Sequence, residues 1–467
     1  MCSTLLKYAI PLALGVLLWF LPSPAGLEPR AWHMFAIFVA TIAGIITAPV
    51  PMSVVALIGA TAGALLGVIE FKDVVAATGT DLVWLVMLAF FISRGVIKSG
   101  LGHRVALLFM RLLGRRTVGL GYGLALTELI VAPAMPSITA RAGGVLLPIT
   151  RAIAEVLGSR PDEATRGRVG SYLILCAFHA NVISAGMFVT AMAGNPLAVK
   201  LAGDQGVQIS WTDWAIAASV PGLICLAAIP LLLLWIVRPE VRATPDAVTL
   251  AQRDLDAMGP VSRDEWVMGA IFLGLVVLWV LGDWIGVGAT LAAAIGVCLM
   301  IVLGVLTWKD ALAETSAWDT MIWIGLLIML AAKLNQYGMV KWFGAEFGPL
   351  LAGYSKYSIF VLICLIYFYV HYFFASATAH VSALFPVCVA LMTAAGVPAF
   401  PAALALGALS SINGCLTQYA IGSAPVMFGA GYVTQREWWI AGFLMSVAYL
   451  AIWLIAGPLW WVAIGRL

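Results

Sequence analysis

Charge is what this 467-residue sequence has least of: Asp, Glu, Lys and Arg make up 10% of it, against about 25% in soluble domains. A chain of that length with so little charge cannot clothe several solvated domains, so a soluble multidomain enzyme is excluded. The formal net charge of +3 is too small to imply a nucleic-acid partner. The seven cysteines (Cys2, Cys176, Cys225, Cys298, Cys364, Cys388 and Cys415) are scattered and form no CxxC pair. Neither a structural zinc nor a redox centre is therefore expected, and no metal or cofactor is assigned. Glycine triplets are missing, which removes a collagen-like fold. HExxH, GxSxG and clustered intramembrane aspartates are missing too. Their absence argues against a membrane-embedded hydrolase, so no catalytic residue is assigned and the chain is not expected to be an enzyme.

What is present is grease: 63% of the residues are hydrophobic. A transmembrane helix needs about 20 mostly apolar residues. Such stretches run at 5–21, 31–48, 52–69, 82–97, 170–193, 212–237, 266–284, 288–306, 319–333, 400–430 and 438–464. The first resembles a signal peptide, with Lys7 ahead of an apolar run. Pro22-Ser23-Pro24 is a poor cleavage site, however, so it is read as the first helix. Two further apolar regions, 118–157 and 357–396, are each interrupted by polar residues and predict hairpins that return to their own side. The fold class that follows is an all-α polytopic membrane protein with about eleven transmembrane helices, two re-entrant helix hairpins and an inverted-topology repeat.

Basic residues set the orientation. With the N-terminus inside, Lys98, Arg104, Arg111, Arg115, Arg116, Arg151, Arg160, Arg166 and Arg168 all face the cytoplasm, as do Arg238, Arg242, Arg253 and Arg263. The C-terminus is then periplasmic. The organisation reads as scaffold helices at 1–75, a first repeat with its hairpin at 76–237 and a linker loop at 238–265. Scaffold helices of the second half follow at 266–318, then a second repeat with hairpin and C-terminal helix at 319–467. The linker is polar and mixed in charge, and reads as a solvated cytoplasmic connection.

The two halves repeat one another. Trp84 precedes Ser137-Ile138-Thr139-Ala140-Arg141 by 53 residues, and Trp323 precedes Ser376-Ala377-Thr378-Ala379-His380 by the same 53. Each half carries a proline (Pro148, Pro386) and then an asparagine-led polar break, Asn181-Val-Ile-Ser184 and Asn413-Gly-Cys-Leu-Thr417. Trp84 starts an inward helix and Trp323 an outward one, so the repeat is inverted. Inverted repeats with paired broken segments mark secondary transporters, whose substrate site lies at the breaks near the midplane.

The tips carry anion chemistry. Ser137 and Thr139, and their partners Ser376 and Thr378, offer hydroxyls at helix N-termini whose free N–H groups favour negative charge. Arg141 adds a fork that matches a carboxylate, and His380 occupies the same place in the second half. Asn181, Asn413 and Thr417 complete the expected substrate-binding set. Serines and threonines in membrane helices often bond only to the preceding turn, but a matched pair in two repeats favours function. Glu128 is expected to pair with Arg141 or Arg94, while His33, His103, His179 and His371 are read as structural. Two cradles facing each other across a cavity suit a ligand with two negative ends, a dicarboxylate. Two unpaired cations in an empty site would cost about 6 kcal/mol on insertion scales of ~2.5–3.5 each. That slows empty return by roughly 10⁴-fold and makes exchange obligatory.

At Ala132-Pro-Ala-Met-Pro-Ser-Ile-Thr-Ala-Arg-Ala-Gly-Gly144, Phe374-Ala-Ser-Ala-Thr-Ala-His-Val-Ser382 and Phe428-Gly-Ala-Gly-Tyr432 the chain resembles the divalent anion:sodium symporter family. The likeness is to its exchanger branch of citrate/succinate and tartrate/succinate antiporters and plastid 2-oxoglutarate/malate translocators. The resemblance implies a homodimeric elevator carrier of di- and tricarboxylates in the inner membrane of a bacterium, touching lipid and no nucleic acid. Sodium-coupled members carry Ser-Asn-Thr at both tips, and here Ile138 and Ala377 stand in the middle. That departure favours antiport over the alternative, a Na⁺-coupled dicarboxylate symporter.

Overall fold

The computed structural model describes residues 2–351 and 353–466. Those residues are helical throughout apart from loops, and their one β-contact is an isolated bridge between Arg116 and Ala243. Ten helices are long and apolar enough to cross a membrane, and Leu6–Phe20, Met52–Leu65, Ala289–Val302 and Ala399–Cys415 are shorter apolar ones. Each of the eleven stretches expected to span holds one of these helices, and the remaining three form the hairpins.

Helix starts are written in the sequence as capping boxes. Ser210 with Asp213, Ser262 with Glu265, Thr307 with Asp310 and Thr434 with Glu437 each satisfy first-turn N–H groups reciprocally. The helix Gly170–Met187 is apolar on all sides and wholly buried, as a helix greasy all round must be inside a bundle. It crosses Ala399–Ile412, and Ser411 Oγ donates to Val182 O at 2.9 Å there.

The first hairpin runs down Thr117–Val131, through a tight turn Ala132–Ala134, and back up from Ile138. A wide turn at Ala142–Leu146 precedes Leu147–Val156, beside Pro148, which has no N–H to give a regular ladder. The second hairpin has the same parts in the same order: Lys356–Val370, the turn His371–Phe373, then Ala377–Ala394.

Two expectations are corrected. The first broken helix does not break at Asn181-Val-Ile-Ser184: it continues to Met187 and opens only at Phe188, whose backbone is extended. The Asn181 Nδ2 and Ser184 Oγ donors both bond to Glu128, so the helix need not unwind to satisfy them, although Asn181 Oδ1 has no partner. The linker is not a free solvated loop either. Pro245–Met258 is a helix that buries Ala247, Ala251 and Leu255, a stripe at four-residue spacing, against Leu101–Leu113. It is strapped down at both ends. Thr244 N donates to Arg115 O at 2.9 Å, and Arg104 grips Glu265 at 2.5 and 3.1 Å and Gly259 O at 3.1 Å.

Candidate substrate site at the hairpin tips

At the first tip, Ser137 Oγ accepts from Ala140 N at 3.1 Å and caps the returning helix. Its hydroxyl hydrogen stays free to donate. Thr139 is exposed, and Ser137 is half-buried beside it. Both line a cavity of about 230 Å³ that Ser93 and Arg94 also line, together with Glu314 and Ser316. A larger cavity of about 580 Å³ lies among the first three helices. It is walled by apolar side chains and holds none of the candidate residues, so a charged guest finds nothing there to bond.

Behind the first tip lies a buried polar network. Arg141 and Glu128 are both 0% exposed, and Arg141 Nε donates to Glu128 Oε2 at 2.9 Å. Asn181 Nδ2 donates to Glu128 Oε1 at 3.1 Å and Ser184 Oγ to Oε2 at 2.9 Å. Arg141 Nη1 donates to two backbone carbonyls, Met135 O just ahead of the tip and Ala191 O (2.8 Å) just past the first break. Arg141 Nη2 has no partner. Of the two cations considered for Glu128, Arg141 is the one that pairs, while Arg94 lines the cavity.

This pairing corrects the charge count. Arg141 is compensated by Glu128, because a buried charge without a counter-charge is far costlier than a hydrogen-bonded pair. The empty site therefore does not carry two unpaired cations.

The second tip is built alike, with Ser376 and Thr378 half-buried. Ser376 Oγ accepts from Ala379 N at 3.3 Å and lies 3.0 Å from Thr378 Oγ1. His380 is fully buried, and its Nε2 meets Tyr367 O at 2.9 Å. A carbonyl only accepts, so that nitrogen carries the hydrogen. The His371 ring stands edge-on to His380 at 4.9 Å and meets Ala420 O through its Nε2 at 3.0 Å. Ser376, Thr378 and His380 do not line the 230 Å³ cavity, so that space is not bounded by both cradles as expected. Arg141 and His380 share no hydrogen-bond partner.

The breaks knit the halves together. Asn413 opens a tight turn at the end of Ala399–Ile412, as expected. Neither Asn413 amide atom nor Thr417 Oγ1 has a partner, and both residues are fully buried. Just past this second break, a Cβ on Gly422 would lie 2.5 Å from Thr139 Oγ1, so any larger residue would push the threonine hydroxyl aside. Past the first break, a Cβ on Gly194 would lie 3.7 Å from Thr378 Cγ2. Each tip threonine thus abuts the break of the other half. Gly422 and Gly194 went unnoticed in the sequence, where Ser184 stands out only as the end of the polar break and His371 reads as structural. The repeat pairs each tip with its own half, and nothing in residue spacing announces the exchange.

The chain is 47% identical to dicarboxylate transporter 1, chloroplastic, of Arabidopsis thaliana, covering 97% of this chain and 82% of that one. It is 33% identical to the L-tartrate/succinate antiporter of Escherichia coli (strain K12), over 97% of each. In fold it resembles MtrF of Neisseria gonorrhoeae at a TM-score of 0.61 and 13% identity, covering 98% of this chain and 94% of that one. The family model of the sodium:sulfate symporter transmembrane region matches residues 2–467. The chain belongs to that family, the divalent anion:sodium symporters, and is a multi-pass membrane protein.

Proposed function

We propose that this chain is a secondary active transporter exchanging C4 and C5 dicarboxylates across the bacterial inner membrane by an elevator-type antiport. 2-Oxoglutarate, malate and succinate are the first candidates, with tartrate and citrate behind them. The observation that carries the reading is the Arg141 guanidinium, bonded to Met135 O and Ala191 O between tip and break. Backbone carbonyls gathered at such a junction are the ligands a hard cation takes. Here a tethered cation occupies them and cannot dissociate into the far compartment.

The substrate site we assign is Ser137, Thr139, Arg141 and Asn181 with Ser376, Thr378, His380, Asn413 and Thr417. Asn181 acts through Glu128, holding the carboxylate that orients Arg141. The carboxylates of the guest would accept from the Ser137 and Thr139 hydroxyls and from donors now without partners: Arg141 Nη2, Asn413 Nδ2 and Thr417 Oγ1. Leaving three buried donors unmet costs at least about 1 kcal/mol each. Return without cargo is then slowed by more than about 10²-fold, and this replaces the two-cation argument as the reason for exchange. The swapped contacts of Thr139 with Gly422 and Thr378 with Gly194 support an inverted repeat whose two tips flank one site. The cavity at the first tip corresponds to one end of the elevator stroke, and the Lys/Arg bias makes that side the cytoplasm, with the C-terminus periplasmic.

The matched family is described as a sodium:sulfate symporter, which keeps Na⁺-driven uptake as the second reading. Counterflow in liposomes preloaded with a panel of diacids tests the substrate. Labelled malate should enter those loaded with malate, succinate or 2-oxoglutarate, and equal entry into sulfate-loaded liposomes would reject the dicarboxylate assignment.

A further inference from the structure

The cavity at the first tip has two walls of different origin. Ser137 and Thr139 belong to the re-entrant hairpin, whereas Ser93 and Arg94 belong to the helix Asp81–Ser99. That helix packs against Ala289–Val302 and Thr315–Gln336, outside both hairpins. The second wall is chemically unfinished. Ser93 is 2% exposed, and its Oγ, at the cavity, has no hydrogen-bond partner. Among the described residues no carboxylate lies within ion-pair reach of Arg94, although one turn further on Lys98 is held by Asp310 at 2.6 Å. Glu314 faces the same space without closing on Arg94.

We propose that Arg94, assisted by Ser93, is a carboxylate-recognising station on the fixed wall opposite the first tip. It engages one end of the dicarboxylate while the hydroxyls of Ser137 and Thr139 engage the other. The guanidinium fork suits a carboxylate's two oxygens, and a buried serine hydroxyl beside it supplies the next donor. Glu314 adds one negative charge to the cavity lining. A doubly charged guest is accommodated, whereas a third carboxylate would meet like charge. Because a carrier domain moves past its scaffold, the station is reached only in the state open at the first tip. It therefore sets affinity on one face of the membrane and leaves the other face untouched. This rests on the proposed exchange of dicarboxylates, and it adds to a site otherwise built from tips and breaks a residue on the helix that opens the first repeat, which packs on the scaffold helix Ala289–Val302.

Right-side-out and inverted membrane vesicles holding the full chain, assayed with labelled malate, read the two faces separately. Arg94→Gln is expected to raise KM about tenfold at the face that opens to the first tip and to change it less than twofold at the opposite face. Arg94→Lys, which keeps the charge and loses the fork, should fall between. Should Arg94→Gln fail to accumulate in the membrane, Ser93→Ala carries the same sided comparison with about a threefold effect. An equal shift at both faces, or none at either, overturns the station. Wild-type vesicles that exchange no dicarboxylate would instead remove the proposed function, so the two failures are distinct.

Discussion

Replacing Glu128 by Gln would strip the counter-charge from Arg141 while leaving the side chain's shape. The new amide's one oxygen can accept from Asn181 while its NH2 donates to the Ser184 hydroxyl, so the charge is the main quantity removed. The ion pair is 2.9 Å long between atoms of two fully buried residues. At an effective dielectric of about 20, unit charges that close attract by roughly 5 kcal/mol. Removing one partner of a buried pair costs about 3–5 kcal/mol in measured cases. With an unfolding entropy of ~2.1 cal/mol/K per residue, that destabilisation lowers Tm by about 3–5 °C for a chain of 467 residues. The assay is thermal unfolding of the purified carrier for Glu128→Gln, Arg141→Met and the double variant. The double should lose about 3 °C less than the sum of the singles, because neither charge is then left alone. Additive losses would refute the pairing as an energetic unit and return Arg141 to the count of free cations.

Thr139→Val and Thr378→Val are each expected to raise KM for malate about tenfold, the loss of one hydroxyl to a carboxylate. A Cys at position 139 should react with a membrane-impermeant thiol reagent from the cytoplasmic side, with preloaded dicarboxylate protecting it. Labelling only from outside would reverse the orientation. Ala251→Glu drives a charge into the strap's contact with Leu101–Leu113. It should make 238–265 a protease-sensitive segment while the spans still insert. Burial holds the half-buried His103 imidazole below its ordinary value of 6.5, against the pull of Asp254 on the same strap. A depressed base favours the folded form while neutral, so acidification below that value should loosen the strap, and His103→Gln should remove the dependence in a proteolysis-versus-pH series.

The spans were legible because burial in lipid and in a bundle both demand long apolar runs, so composition alone located all eleven. The hairpins were legible for the opposite reason: Ser137-Ile-Thr-Ala-Arg141 and its counterpart put polar groups where a spanning helix would be driest. Two things were hidden. Asn181 looks like a helix breaker until Glu128, 53 residues earlier, arrives to satisfy it. The linker looks solvated because its charged face dominates the count, while Ala247, Ala251 and Leu255 form a stripe too small to stand out. At the site, residue types were readable and their bonding was not. Arg141 announced a cation and Glu128 a partner for it or for Arg94, but only the fold selects Arg141 and supplies the carbonyls it bridges.

The most direct test of tethered-cation exchange is labelled malate uptake into purified proteoliposomes, empty or loaded with unlabelled malate, under an inward Na⁺ gradient and under equal K⁺. Uptake should appear only in the loaded liposomes and be the same in both cations. Concentrative, Na⁺-driven uptake into empty liposomes would contradict it.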